Sequence, residues 1–228
     1  MDEQPESNSL ETGDTAASGL TLPVRTRDAE RTKRDILAVA IEEFANHGLS
    51  GARVSAIAER IQTTKAMVYY YFGSKAGLYE AVLERAYADI RQAEAQLDLA
   101  RLDPETAIRR LVDFTFDYDD ANPAFVRLIA NENMLRGVHL ARSPNIEKLN
   151  LVVIETLSAI LARGRRDGVF REAADAVDVH LLISSLCFCR VSNQHTFGAI
   201  FRCDLSDPEI RARHRRMIGD AVVRYLLG

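Results

Sequence analysis

Apolar residues recur at helical spacing along almost the whole chain, and no stretch shows the two-residue alternation of a half-buried strand. That pattern confines the chain to an all-α architecture. Ile36, Leu37, Ala40, Ile41, Phe44 and Ala45 form one stripe on a helix expected over 28–47, with Gly48 as its C-terminal cap. Val54, Ile57, Ala58 and Ile61 share a face of a short second helix, and Thr64 can cap a third that runs to about Tyr71. After Gly73, Ser74 can cap a long helix over 75–97. Pro104, Pro123 and Pro144 sit at the starts of three more helices, ending near 119, 136 and 167. Two last helices are expected over 174–200 and 207–227.

At 47% apolar and 27% charged residues, the chain has ample material for a packed core. The leading 24 residues are the exception. They hold five acidic and no basic residues among Ser, Thr and Gly, and cannot bury enough apolar surface to order, so residues 1–24 read as a disordered acidic tail. Residues 25–75 hold nine Lys/Arg against six Asp/Glu, a positive segment within a chain of net charge −4. That asymmetry is compatible with local nucleic-acid binding. No run is long and apolar enough to span a bilayer, and no basic-then-apolar leader is present. Three cysteines, an odd number, argue against a disulfide framework. The expected location is therefore cytoplasmic, with no membrane partner.

Two short helices behind a longer one outline a helix-turn-helix, whose second short helix enters the major groove. Thr64, Lys65, Ala66 and Met67 open that helix with side chains suited to base edges. Tyr69, Tyr70 and Tyr71 at its end can offer hydroxyls to phosphates, and Lys75 lies at the next helix's N-terminus, itself a phosphate site. The alternative is that the tyrosines simply pack.

Residues 28–80 resemble the N-terminal domain of TetR-family transcriptional regulators. The resemblance is carried by Ile36–Gly48, Val54–Glu59 and the run Val68-Tyr69-Tyr70-Tyr71-Phe72-Gly73-Ser74-Lys75. It implies a homodimeric repressor released from double-stranded operator DNA by a small-molecule effector, with an activator as the alternative. Carried over residue by residue, it assigns base contacts to Thr64, Lys65, Ala66 and Met67, and phosphate contacts to Tyr69, Tyr70 and Lys75, with Arg53 as a further backbone contact. Departures are Ala52, where relatives often cap the second helix with Thr or Ser; Gln62, where many have Gly; and Ala66 and Met67, where many have Gly and Thr. The implied organisation is a helix-turn-helix domain over 25–74 and a helical effector-binding and dimerisation domain over 75–228.

The segment Asn122–Arg142 resembles a branch of that family that senses small cyclic catabolites such as pyrimidines or pyridine carboxylates. Phe114, Tyr118, Phe125 and Phe188 could line a cavity for such an effector, with Asn133, Arg136 and His139 as its polar groups. The same residues could equally be plain core, with Arg136 in solvent and a hydrophobic or acyl ligand in an apolar pocket. Ala176–Val191 is apolar nearly all round. It is expected to pack with the last helix against a second subunit, or else to run enclosed within one. The basic run Arg211, Arg213, Arg215 and Arg216 reads as a solvated face. No phosphate loop, dinucleotide fingerprint, nucleophile elbow, paired catalytic carboxylates or His–Glu metal motif is present, so neither an enzyme nor a cofactor or metal is indicated.

Overall fold

The computed structural model describes residues 24–171 and 174–227, with side chains from Asp28 onward. The acidic tail expected over 1–24 lies outside the described residues, save Val24. Among the described residues there are ten α-helices and no strand. They are α1 (Val24–Gly51), α2 (Val54–Arg60), α3 (Lys65–Phe72), α4 (Lys75–Glu94), α5 (Pro104–Ala121), α6 (Pro123–Met134), α7 (Pro144–Arg166), α8 (Ala176–Ser192), α9 (Gln194–Phe201) and α10 (Pro208–Leu227).

The helix starts follow local chemistry. Side-chain oxygens of Thr64, Ser74, Asp103, Ser143 and Asp175 accept backbone N–H groups of the first turns they precede. Three boundaries differ from expectation. Helix α1 begins at Val24 and, past the non-helical Gly48 (φ 64°), makes a further turn to Gly51. Short 3-10 turns at 95–97 and 99–101 take up the end of the helix expected to reach 97. The helix expected over 174–200 is two, because Asn193 donates to the Cys189 carbonyl and to Ser192 Oγ and so competes with the helical ladder.

Two cores result. The first gathers Ile36, Ala40, Phe44, Ile57, Val68, Leu78, Tyr79, Val82 and Leu83 with Leu128 of α6 and Ile146 of α7. The second gathers Ile108, Val112 and Phe116 of α5, Leu157, Ile160 and Leu161 of α7, Val179, Ile183 and Cys187 of α8, and Ile218, Val222 and Leu226 of α10. Each large side chain fully withdrawn from water contributes about 1.5–3 kcal/mol.

The first half of α4 therefore packs with α1–α3, and α6 is fastened to the same body. Asn131 Nδ2 donates to the carbonyls of Phe44 and Ala45, 3.2 Å each. Glu132, fully buried, accepts from His139 N–H (2.7 Å) and Leu140 N–H (3.3 Å), and its other oxygen is 3.2 Å from His139 Nδ1. The His139 ring meets Tyr79 edge-on at 5.1 Å.

The basic run on α10 is not the solvated face expected. Arg211 and Arg215 reach Asp113, Asp117 and Asp120 of α5, and the buried Arg190 of α8 pairs with Asp120 through both nitrogens. Arg190 and Arg211 also stack on Phe116. Only Arg213 and Arg216 of that run are exposed. The cysteines are free; Cys187 is buried and Cys189 exposed, as opposite helix faces require.

Candidate nucleic-acid interface and effector cavity

Helix α3 is held by one face and bare on the other. Val68 is buried, and Tyr71 and Phe72 pack against the first core. Thr64, Lys65, Ala66 and Met67 all face solvent, as do Tyr69 (42% exposed) and Tyr70 (78% exposed). The tyrosine run thus divides: Tyr71 is a packing residue, while Tyr69 and Tyr70 project outward.

The turn into α4 fixes how α3 is presented. Gly73 takes φ 71°, a conformation open to glycine, and its N–H closes α3 onto the Tyr69 carbonyl at 2.7 Å. A side chain at Gly77 would put its Cβ 2.3 Å from the Phe72 carbonyl oxygen, so the two helices approach as closely as they do only with glycine there. Lys75 Nζ donates to the Ser50 carbonyl at 3.0 Å, tying the end of α1 to the start of α4. Two ammonium hydrogens remain free for an anion.

At the start of α2 the cap position belongs to Arg53, while Ala52 is buried. Arg53 offers no side-chain cap. Its N–H is taken instead by the Glu43 carboxylate at 2.9 Å, and its side chain is exposed. Gln62 occupies the left-handed region (φ 54°) in the turn between α2 and α3.

A cavity of about 340 Å³ lies between α4, α5, α6, α7 and α8. Its walls include Tyr87 and Ile90 of α4, Phe125 and Ile129 of α6, Leu111 of α5 and Phe188 of α8. Its polar groups are Arg91 and Glu94 of α4, Thr115 and Asp119 of α5, Asn150 of α7, and His180 and Ser184 of α8. Burial shapes their protonation. The Asp119 carboxyl is pushed up to about 7, first by desolvation and then by the charge of Asp120. Desolvation also raises Glu94, against the pull of Arg91, and lowers His180.

Of the seven residues expected to line an effector site, the structure brings only Phe125 and Phe188 to this cavity. Tyr118 lines a smaller neighbouring space of about 170 Å³ with Phe125, and Phe114 lies against the Tyr118 ring at 5.7 Å. Asn133 and Arg136 are exposed, Arg136 in the left-handed conformation (φ 60°) that turns the chain after α6. His139 is buried, but against Glu132 of α6 and Tyr79 of α4, beside the first core and away from this cavity. The polar lining falls instead to residues passed over in the sequence, and one signal was available: His180 is among the few ionisable residues in an otherwise apolar helix. Arg91 and Glu94 look like ordinary surface charges at the end of a long helix. Among the described residues no cluster of three or more His, Cys, Asp and Glu could hold a metal ion, and no helix is long and apolar enough to cross a membrane.

The family profile described as "Bacterial regulatory proteins, tetR family" matches residues 36–82, and that described as "Tetracyclin repressor-like, C-terminal domain" matches residues 104–222. The chain is 38% identical over 203 residues to the HTH-type transcriptional repressor NicS of Pseudomonas putida, covering 89% of this chain and 96% of that one. It is 31% identical over 144 residues to the HTH-type transcriptional regulator RutR of Escherichia coli K12, covering 63% of this chain and 66% of that one. The crystal structure of the transcriptional regulator SCO4942 from Streptomyces coelicolor is similar with a TM-score of 0.65 at 30% sequence identity, covering 86% of this chain and 98% of that one. With both domains matched and one relative similar over nearly its full length, the chain belongs to the tetR family of bacterial regulatory proteins and is a ligand-responsive transcriptional regulator rather than an enzyme.

Proposed function

We propose that the chain is a homodimeric repressor that reads a pseudo-palindromic operator with α3 and releases it when a small aromatic or heteroaromatic effector fills the 340 Å³ cavity. The observation that carries the DNA-reading part is the bare face of α3. Thr64, Lys65, Ala66 and Met67 are exposed together at its N-terminal end, with Tyr69 and Tyr70 beside them and Arg53 and Lys75 at the flanks. The repressor sense follows NicS, the relative similar over nearly its whole length. In this reading Lys65 and Met67 choose bases, while Tyr69, Tyr70, Lys75 and Arg53 hold phosphates.

The dimer forms through α8, α9 and α10. The apolar face of α10 expected at an interface is divided: Ile218, Val222 and Leu226 are buried within the subunit, while Met217 and Leu227 are exposed. Val177 and Leu181 on α8, and Phe197, Ile200 and Phe201 on α9, add further exposed apolar surface. Surface of this kind on three successive helices is what a second copy would cover. Two recognition helices one DNA turn apart, roughly 34–36 Å, would then meet matching half-sites.

Gel shift with DNA from upstream of the chain's own gene tests the reading. Specific retardation is expected, with Tyr70→Phe weakening binding to all sequences alike and Lys65→Ala changing the preferred site in a randomised selection. Absence of specific retardation by a folded, dimeric protein would refute it.

A further inference from the structure

We infer that Arg136, in the turn between α6 and α7, binds a DNA phosphate from outside the helix-turn-helix, one on each half of the operator. The inference rests on the reading of the α3 face as the DNA surface.

The turn is built against the corner from which two of the proposed phosphate contacts emerge. At the end of α6, Asn131 donates to the carbonyls of Phe44 and Ala45, and its Oδ1 lies 4.0 Å from where a Cβ on Gly48 would stand. Gly48 leads to Ser50, whose carbonyl accepts from the Lys75 ammonium, and on to Arg53 at the start of α2. On the other side the chain returns to α4, where the His139 ring meets Tyr79, one helical turn beyond Lys75. Residues 132–138 thus bridge from the end of α1 to the second turn of α4, on the flank that carries Arg53 and Lys75. Arg136 and its neighbours Asn133, Met134, Leu135 and Val138 are exposed there.

The backbone is bent to present an arginine where another residue would sit more easily. The end of α6 is a Schellman turn: Gly137 N–H donates to the Glu132 carbonyl and Arg136 N–H to the Asn133 carbonyl, 3.0 Å each. Its left-handed position is usually glycine, because a Cβ is crowded there. Here that position is Arg136, at φ 60°, and the glycine stands one place on, as Gly137 at φ 68°. A long charged side chain held at a strained position points to a use for that side chain.

Charge identifies the use. The arginines on either side of the turn are occupied: Arg127 faces Glu42 at 3.7 Å and Arg142 faces Glu80 at 3.6 Å. Among the described residues Arg136 pairs with no carboxylate, so its exposed guanidinium is open to an outside anion. On a flank shared with Arg53 and Lys75, that anion is the phosphate backbone, which a guanidinium grips through two parallel N–H donors. The exposed Met134 and Val138 would suit a protein surface instead, but an apolar contact gives no reason for an arginine at the strained position.

The test measures how DNA affinity depends on salt, by fluorescence anisotropy with the full dimer and the upstream fragment retarded in gel shift. Each phosphate contact contributes about 0.9 to the slope of log affinity against log salt, and a dimer holds two copies of Arg136. Arg136→Gln should therefore make the slope shallower by roughly 1.8, so that each halving of salt widens the gap from wild type about 3.5-fold. Arg136→Lys keeps the charge and should keep most of the slope. Arg136→Gly should lose as much as Arg136→Gln with no fall in Tm, which separates loss of a phosphate contact from loss of the turn. Arg166→Gln removes an exposed charge at the far end of α7 and should leave the slope as it is. An unchanged slope in Arg136→Gln, a fall in Tm in Arg136→Gly, or an equal loss of slope in Arg166→Gln overturns the inference. If the wild type binds and Lys65→Ala shifts the preferred site while Arg136→Gln keeps the slope, α3 still reads DNA and only the Arg136 contact falls. If the folded wild-type dimer shows no specific retardation, both fall.

Discussion

Removing the Glu132 side chain should release the 139–142 segment from α6 within the first core. The carboxyl is fully buried and makes three contacts: His139 N–H at 2.7 Å, Leu140 N–H at 3.3 Å and His139 Nδ1 at 3.2 Å. In Glu132→Ala all three lose their acceptor. Each buried donor left unpaired costs about 1–3 kcal/mol. Leu140 is only half-buried and can recover water, so its share is small. The expected loss is about 3–5 kcal/mol, a large part of the 5–15 kcal/mol typical of a folded domain. For a chain of this size that corresponds to a fall in Tm of roughly 6–20 °C. Glu132→Gln keeps one acceptor oxygen for the His139 N–H and should lose about half as much. Urea denaturation followed by far-UV circular dichroism measures both. A loss under about 1 kcal/mol in Glu132→Ala, with unchanged slope, would show that the 139–142 segment finds other partners and is held to the first core by apolar packing alone.

Asp119 makes stability depend on pH. Its folded value of about 7 lies above that of the unfolded chain, so the native state holds the extra proton between the two, and stability falls as pH rises toward and through 7. Asp119→Asn should remove a decline on the order of 2 kcal/mol between pH 5 and 8; an equally steep decline in the variant would refute the assignment. Gly77→Ala brings a Cβ to 2.3 Å from the Phe72 carbonyl, forcing α3 and α4 apart. It should cost about 1–3 kcal/mol despite alanine's better helix propensity, and weaken operator binding by gel shift. Leu181→Glu puts a charge in the exposed apolar face of α8 and should yield monomers in sedimentation with the fold intact. A dimer of unchanged affinity would place the interface elsewhere.

The fold class, the helix order and the capped start of α3 were legible because they rest on local signals. Thr64, Ser74, Asp103 and Pro123 punctuate helices by their own chemistry, and the period of Ile36, Ala40 and Phe44 marks a buried stripe wherever it packs. The tyrosine run was half legible: sequence spacing cannot say which ring of three turns inward, and packing against the first core chose Tyr71. The cavity between the two cores was mostly illegible because it is assembled by five helices. Arg91 and Asp119 acquire their significance from being buried, and burial of a charge is the opposite of what its residue type suggests. His139 was noticed for its polarity, but its partner is Glu132, and Asn131 reaches the carbonyls of Phe44 and Ala45; spacing along the chain gives no sign of these pairings. Arg211 and Arg215 misled for the same reason, since their carboxylate partners on α5 are about a hundred residues away.

In the proposed reading, the position of the cavity lets occupancy be felt at α3. Two of its walls, α4 and α6, belong to the body that carries the DNA-binding helices, through Leu78, Val82 and Leu128 and the Asn131 contacts to α1. The others, α5, α7 and α8, belong to the second core. A molecule between them would act as a wedge between the two cores. Helix α4 spans both, and sixteen residues separate Lys75 from Arg91, or about 24 Å along the axis. A tilt of about 5° there moves the far end by about 2 Å, the scale of helix shifts in known switching transitions. The ligand shifts the balance only by the difference in its affinity for the two arrangements, typically about 1–3 kcal/mol. A side chain can supply the same wedge permanently. Ser184→Trp projects an indole from α8 toward α4 and α6, so without any ligand it should weaken operator binding by roughly 5–150-fold while leaving the dimer intact. Gel shift and sedimentation on the same preparation measure this. If operator affinity matches the wild type while Ser184→Trp blocks small-molecule stabilisation, the cavity binds ligand without driving the two bodies apart. The lever would then have to lie outside α4.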